Sequence, residues 1–481
     1  MGSQSIVEIF FPNRGGYEEL MSRRRFRRKK LPQELVNVDI EALNHEGRGI
    51  ARIEGKVAFV DGALKGENVD ARYVYRRSNL DELKAENINQ PSSYRVDPIC
   101  KFSGICGGCS LQHMNTTQQI IFKEGVLIEK LKQELSDREI TFKTLNRISG
   151  DHWNYRRKAR LAVRVVEKKG GALVGFREKH SSFITDMDDC KVIVAEVAQL
   201  IVPLRRLINS LDIGNYVPQI EVAVGEESDC GSKKKIALVI RHLQEFTDTD
   251  LVSLLQFGKD YAIELYLQPK GVGSVHKFFP ADDFPRLQYF LPAFDLKFLF
   301  HPMDFTQVNA GLNRSIVSHA VDLLKLRKQD TVLDLFCGLG NFTLPIATRA
   351  LSVVGVEGSL EMVARGTENA KNNDILNAEF YAADLTKCFK HEKWAERTYD
   401  KILLDPPRSG AIEIIETISA IGAKKIVYIS CNPSTLARDT KVLIGSGYRL
   451  LATGVMDMFP HTTHVESVAE FQRADLLLDE N

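Results

Sequence analysis

"VLDLFCGLGNFTLP" spans residues 332–345. An apolar run stops at Phe336, a glycine loop follows, and a helix-compatible stretch begins. A strand that empties into such a loop and then a helix is the first unit of a doubly wound parallel sheet. Gly338 and Gly340 let the backbone turn tightly and approach a ligand. A dinucleotide fingerprint needs a third glycine where Thr343 stands. The loop therefore suits a cofactor without a pyrophosphate, such as S-adenosylmethionine. Glu357 closes the next apolar run, the position from which an acid binds both ribose hydroxyls.

The pattern repeats outward from this unit. Apolar runs at 331–336, 351–357, 378–382, 401–405 and 425–430 alternate with helical stretches, which predicts five parallel strands. Two further runs, 448–455 and 464–471, are separated only by a short stretch that opens "MDMFPH". That is too short for a helical crossover, so the last strand is expected to be antiparallel. The fourth run ends in "LLDPPRSG", which places Asp405 beside the glycine loop. Asp-Pro-Pro alone is ordinary turn chemistry; at a strand end of this sheet it reads as a loop facing substrate.

The fifth run ends at Ser430, and Cys431 follows, then Asn432-Pro433. A free cysteine is most often a small core filler. Open α/β sheets, however, bind ligands at the carboxyl ends of their strands, where a cysteine can act as a nucleophile. Methylating C5 of a pyrimidine needs one, because C5 is itself too poor a nucleophile. A thiolate adding to C6 makes an enolate that attacks the methyl group, and a base then removes the C5 proton. Glu466, at the head of the last run, is the candidate base, with His461 and His464 beside it. Taken alone, Glu466 could equally be a surface strand residue.

Upstream, residues 1–30 read as a disordered basic extension: seven cations fall between Arg23 and Lys30. Such an arm suits phosphate backbones, although most charge runs are merely solvated. Residues 31–89 alternate with period two between glycines, as short strands of a small OB-like β-barrel do. A central α+β region follows, 94–295, with a second basic knot at Arg156, Arg157, Lys158, Arg160 and Arg164. The methyltransferase-like part takes 296–481. Overall the chain has 481 residues, 44% hydrophobic and 26% charged, with net charge +1. This is the profile of a soluble globular protein, expected in the cytoplasm; neither a signal peptide nor a membrane span is visible.

Eight cysteines are too few for a disulfide scaffold. Cys100-x5-Cys106-x2-Cys109 with the distant Cys190 offers four thiolates, enough for a [4Fe–4S] cluster. Spacing alone leaves structural zinc equally open. Cys230, Cys337 and Cys388 are read as non-functional thiols.

"DFTQVNAG", "LDLFCGLGNFTLP", "VVGVEG", "LLDPPRSGA", "SCNPSTLARD" and "DMFPHTTHVES", in this order, resemble the RNA uracil-C5 methyltransferase family. "CKFSGICGGC" with Cys190 resembles the iron–sulfur site of its ribosomal members, and residues 31–89 resemble their TRAM domain. Only residues 1–30 match nothing, and Met21 is a possible alternative start. The resemblance implies a class I S-adenosylmethionine-dependent methyltransferase, a Rossmann-like sheet with an antiparallel last strand, preceded by a TRAM domain and an iron–sulfur domain. It implies Cys431 as nucleophile and Glu466 as proton acceptor. It implies Gln307, Phe336, Asn341, Glu357, Asp384 and Asp405 as cofactor contacts, and Cys100, Cys106, Cys109 and Cys190 as ligands of a [4Fe–4S] cluster. The implied activity is 5-methyluridine formation in 23S ribosomal RNA, nearest to position 1939, by a monomer with no membrane partner. The residues themselves do not specify the nucleotide, because RNA is read largely through its shape. Two rivals remain within the enzyme class. A cytosine-C5 enzyme commonly carries a second cysteine where this chain has Pro407, and transfer-RNA uracil enzymes typically lack the barrel and the cysteine cluster. Outside it stands an iron–sulfur RNA-binding or chaperone protein with an idle methyltransferase domain.

Overall fold

The computed structural model describes residues 31–137, 140–229, 231, 233–282, 284–387 and 391–477. The basic run Arg23–Lys30, Cys230 and Cys388 lie outside the described residues.

Near the N-terminus, six strands between Val36 and Gln90 form one sheet, four of its five pairings joining consecutive or near-consecutive strands. Alternation places Val38, Ala51, Ala58, Val60, Val69, Ala71 and Leu83 on its inner face. The first strand, Val36–Asp39, also lies against the third, Gly49–Ile53, so the sheet wraps around that small core. The central region builds a second six-stranded sheet from the strands Lys158–Val166, Gly171–Gly175, Gln219–Glu226, Lys234–Arg241, Glu264–Gln268 and His276–Phe279.

The basic knot expected on a solvated face is divided by this second sheet. Arg157 turns inward to Glu226, which is also held by Arg314. The half-buried Lys158 donates to the Pro302 and Asp304 carbonyls. Arg160 pairs outside with Glu221. Alternation along Lys158–Val166 sets Lys158, Arg160 and Arg164 together on the face opposite the buried Ala159, Leu161 and Val163, so their different partners follow from place along the strand and not from face.

The third sheet carries the site. Edge to edge its strands are Ala378–Ala382, Ser352–Glu357, Thr331–Leu335, Lys401–Leu404, Lys425–Ser430, Glu466–Arg473, Tyr448–Met456 and Lys143–Thr144. The first five are mutually parallel. Glu466–Arg473 is antiparallel to both its neighbours, as the short connection requires. Strands Lys401–Leu404 and Lys425–Ser430 are buried along their whole length, the mark of a parallel sheet covered on both faces.

Two pieces from before the central sheet pack into this third layer. Helix Thr116–Glu134, capped by the Asn115 side chain, lays Ile120, Leu127 and Leu131 into the core under the strands. Lys143–Thr144 then pairs with Ala452 and Thr453 as the outermost strand. A sequence boundary at 94 assigns both pieces to the central region; in space they complete the methyltransferase-like layer. Among the described residues no helix is long and apolar enough to cross a membrane.

Candidate active site

The parallel strands all end on one side, and the expected residues gather there because each follows a strand end. Phe336 succeeds Leu335, Glu357 ends its strand, Asp384 lies two residues beyond Ala382, Asp405 succeeds Leu404, and Cys431 succeeds Ser430. Glu466 reaches the same rim from the opposite direction, since an antiparallel strand begins where its neighbours stop. The register pairs Ser430 with Ser467, which sets Cys431 and Glu466 side by side one step further on.

Local chemistry explains the turn at Cys431. The strand preceding it is fully buried. Asn432 caps the next helix, its side chain accepting from the Ser434 N–H, and Pro433 occupies the first turn of Pro433–Gly445, where no N–H is needed. Cys431 is thus held between a rigid strand and a fixed helix start. The neighbouring Pro-Pro-Arg loop is tied to the same cap: Asn432 Nδ2 donates to the Arg408 carbonyl at 3.0 Å. Below it, Asp439 Oδ2 accepts from the Tyr428 hydroxyl and the Ala411 N–H, both at 2.7 Å.

Charge at this rim is predominantly acidic. Burial pushes Asp405 up to about 7. Burial, then the charge of Asp405, pushes Glu466 up to about 8. Burial, then Glu466 and Asp405, pushes the Cys431 thiol up to about 11. Arg408 opposes the shift at both Glu466 and Cys431, and Lys123 opposes it at Glu466. Sequence reading missed both cations. Arg408 was visible as the one cation in "LLDPPRSG". Lys123 was visible as a lysine in register with Ile120, Leu127 and Leu131 on the apolar face of its helix. Its ammonium is buried against Asp457 at 2.5 Å and the Phe459 carbonyl at 2.9 Å. Breaking a buried pair of this kind typically costs about 3–5 kcal/mol.

The glycine loop is held by hydrogen bonds from its neighbours. Phe336 holds a left-handed backbone, φ 64°, which a bulky residue adopts only under constraint. Its N–H donates to the Val356 carbonyl at 2.9 Å. Glu357 accepts from the Gly338 N–H and from the Ser359 N–H, each at 3.1 Å. The Asn341 and Asn313 side-chain amides exchange two hydrogen bonds, and Asn341 also accepts from the buried Tyr289 hydroxyl at 2.9 Å. Gln307 lines a small cavity with Tyr289 and Asn313, so it joins this cluster. Asp384 is exposed and takes up Thr386 and Lys387, which hold its carboxyl down at about 2. Beneath the loop, burial pushes Asp334 up to about 8 while Thr343 donates to it.

His461 and His464 differ. The buried His461 ring stacks on Trp153 and is pushed down to about 4, first by burial. His464 is exposed, its Nδ1 3.3 Å from Arg408 Nη2.

Cys100, Cys106, Cys109 and Cys190 all line one cavity, together with Phe102, Phe176 and Met187. None is in a disulfide. Among the described residues no group of three or more His, Cys, Asp or Glu side chains is arranged to hold a metal ion. Cys337 is buried under the glycine loop. Between these sites runs an open cleft. Its walls carry Arg48, Arg156, Arg177, Lys179 and Arg408 from all three layers, alongside the carboxylates Glu46, Asp61 and Glu178.

The family described as tRNA (Uracil-5-)-methyltransferase matches residues 287–473, and the TRAM domain matches residues 29–72. The 23S rRNA (uracil(1939)-C(5))-methyltransferase RlmD of Hahella chejuensis is 48% identical over 93% of this chain and 99% of its own length. That of Alcanivorax borkumensis is 48% identical over 93% of this chain and 98% of its own. Among solved structures, the tRNA (uracil-54, C5)-methyltransferase of Pyrococcus abyssi, in complex with S-adenosyl-L-homocysteine, superposes with a TM-score of 0.68 at 23% identity. That likeness covers 91% of this chain and all of the other, and it shows the shared fold. With a cysteine and a glutamate meeting at the rim of a class I methyltransferase sheet, and relatives of this similarity along nearly the whole length, the chain belongs to the RNA uracil-C5 methyltransferase family.

Proposed function

We propose that this chain is the S-adenosylmethionine-dependent enzyme that methylates C5 of uracil 1939 in 23S ribosomal RNA. The full-length likeness to two such enzymes carries the choice of substrate, and the pairing of Cys431 with Glu466 carries the chemistry. A half-buried nucleophile at a strand end cannot reach a stacked base, so the target uridine flips out of its helix. The Cys431 thiolate adds to C6, and C5 becomes nucleophilic. When bound, S-adenosylmethionine supplies the methyl group. Glu466 then takes the C5 proton, the S–C6 bond breaks, and Cys431 is regenerated. Arg408 favours the ionised forms of both residues. The glycine loop with Glu357, the Gln307–Asn341 cluster, Phe336, Asp384 and Asp405 would hold the cofactor along the strand ends.

Among the described residues the rim has no second cysteine opposite Cys431. Pro407 stands in the fourth-strand loop, which favours uracil over cytosine chemistry. Ribosomal RNA from a strain lacking the gene is expected to lose 5-methyluridine at position 1939, and the purified enzyme to restore it in vitro. Enzyme lacking residues 1–30 should methylate the same uridine while binding RNA more weakly and with a flatter salt dependence. Phosphate contacts set affinity, not site choice. Unchanged modification in the deletion strain, or a shifted site for the truncated enzyme, would contradict these assignments.

The four cysteines fit a [4Fe–4S] cluster. Four sulfur donors face one cavity with no competing carboxylate among its lining residues. When bound, the cluster would cross-link the 100–109 loop to Cys190. Protein purified without oxygen should be brown and hold about four irons per chain. Stoichiometric zinc in a colourless preparation would overturn the assignment.

A further inference from the structure

The segment Asp457–Val465 leads from the strand Tyr448–Met456 into Glu466, so its shape decides where the Glu466 carboxylate points. Every layer of the molecule grips it. From the small barrel, Gly47 packs so closely that a Cβ there would come within 2.6 Å of Leu111 and 3.0 Å of Thr463. From the cysteine loop, the Ser110 and Leu111 N–H groups donate to the His461 carbonyl at 2.8 and 2.9 Å. From the central layer, the Tyr155 hydroxyl donates to the Pro460 carbonyl at 3.2 Å, and the Trp153 ring stacks on the His461 imidazole at 3.8 Å. From helix Thr116–Glu134, Gln119 accepts the His461 N–H at 2.8 Å, and its Nε2 lies 3.2 Å from His461 Nδ1.

Most of these contacts meet at one residue. His461 is 2% exposed and sits at φ 66°. A non-glycine residue keeps that left-handed conformation only where its surroundings over-determine it. Its carbonyl, N–H and ring are each committed to a different element, and all three elements lie far away in sequence.

We propose that His461 is a positioning residue for Glu466: it locks the loop so that the carboxylate meets the C5 proton, and it does so only when the cysteine loop and helix Thr116–Glu134 are docked. This rests on the reading of Glu466 as proton acceptor. Addition by Cys431 and methyl transfer precede proton removal, so a loosened loop slows the last step and spares the earlier ones.

The test uses the full-length enzyme, natural-uridine ribosomal RNA and S-adenosylmethionine. His461→Gly removes the ring but keeps the left-handed backbone accessible. Trp153→Leu leaves the loop's own sequence intact and removes only the stack. Glu466→Gln runs in parallel. Both variants are expected to lose kcat by about 100-fold, the effect of a misplacement on the order of 1 Å, while kcat/KM for RNA is spared, so that KM falls together with kcat. Both should accumulate a denaturation-resistant, methylated RNA–protein adduct. If neither accumulates adduct while Glu466→Gln does, the positioning role fails and the reading of Glu466 survives. If Glu466→Gln also lacks adduct, that reading fails and takes the proposal with it. Loss of cofactor binding in both loop variants overturns the proposal as well, since the loop would then be merely structural.

Discussion

Cys431→Ala enzyme is expected to form no 5-methyluridine, a loss of at least about 10⁴-fold, while still binding S-adenosylmethionine. The fold should tolerate the change. The strand before Cys431 is buried independently of it, and the Asn432 cap and Pro433 still start the next helix. What disappears is the thiol proposed to add to C6, and without addition C5 does not attack a methyl group. RNA carrying 5-fluorouridine at the target separates this from a general defect. Wild-type enzyme should form a methylated covalent adduct, because fluorine cannot be abstracted as a proton is; Cys431→Ala should form none. An adduct that persisted would place the nucleophile elsewhere. The pH dependence has a definite sign. The reactive form is the thiolate, and burial with Glu466 and Asp405 pushes the thiol up to about 11. In the free enzyme, alkylation of Cys431 should therefore accelerate about tenfold per pH unit from 7 to 10. It should slow at fixed pH in Arg408→Met, which removes the charge that favours the thiolate. A rate flat across that range would mean that the thiolate is already formed.

Glu466→Gln enzyme should stall late. Glutamine keeps the size and polarity of the side chain but cannot accept the C5 proton. Addition and methyl transfer do not need the carboxylate, so RNA remains bonded to Cys431 with the methyl group already on C5. This complex should survive denaturing gels with natural uridine, where wild-type enzyme shows little of it. Multiple turnover should fall by about 10²–10⁴-fold, the usual contribution of a positioned base. Burial and Asp405 push Glu466 up to about 8, which gives it the proton affinity of a competent base near neutral pH. Normal turnover, or slow turnover with cofactor bound and no adduct, would remove Glu466 from the role. His464, exposed at the same rim, would then be the residue to replace.

The third sheet was legible because its strands are bounded apolar runs. The expected 401–405 and 425–430 differ from the observed Lys401–Leu404 and Lys425–Ser430 by one residue at most. The antiparallel last strand followed from chain length alone, since the eight residues between 455 and 464 cannot cross a sheet. Once strand ends were placed, Cys431, Glu466, Asp405 and Glu357 had to share a rim. What stayed hidden is non-local. Nothing near Lys123 in sequence indicates that its ammonium will meet Asp457. Nothing near Lys143 announces a strand, because only two residues pair and their partners are Ala452 and Thr453. His461 looked like a rival base beside Glu466. Its neighbours in space, Trp153 and Gln119, commit the ring elsewhere.

The outermost strand has a consequence for how the protein is made. Lys143–Thr144 and the helix before it are synthesised long before the strand Tyr448–Met456 that they dock against. At a translation rate of roughly 5–20 residues per second, a gap of roughly 300 residues lasts about 15–60 seconds. During that interval the apolar stripe of Ile120, Leu127 and Leu131 has left the ribosome with its final partners not yet in existence. The nascent chain must shelter this stripe, by chaperone or by provisional packing, until the ribosome has nearly finished.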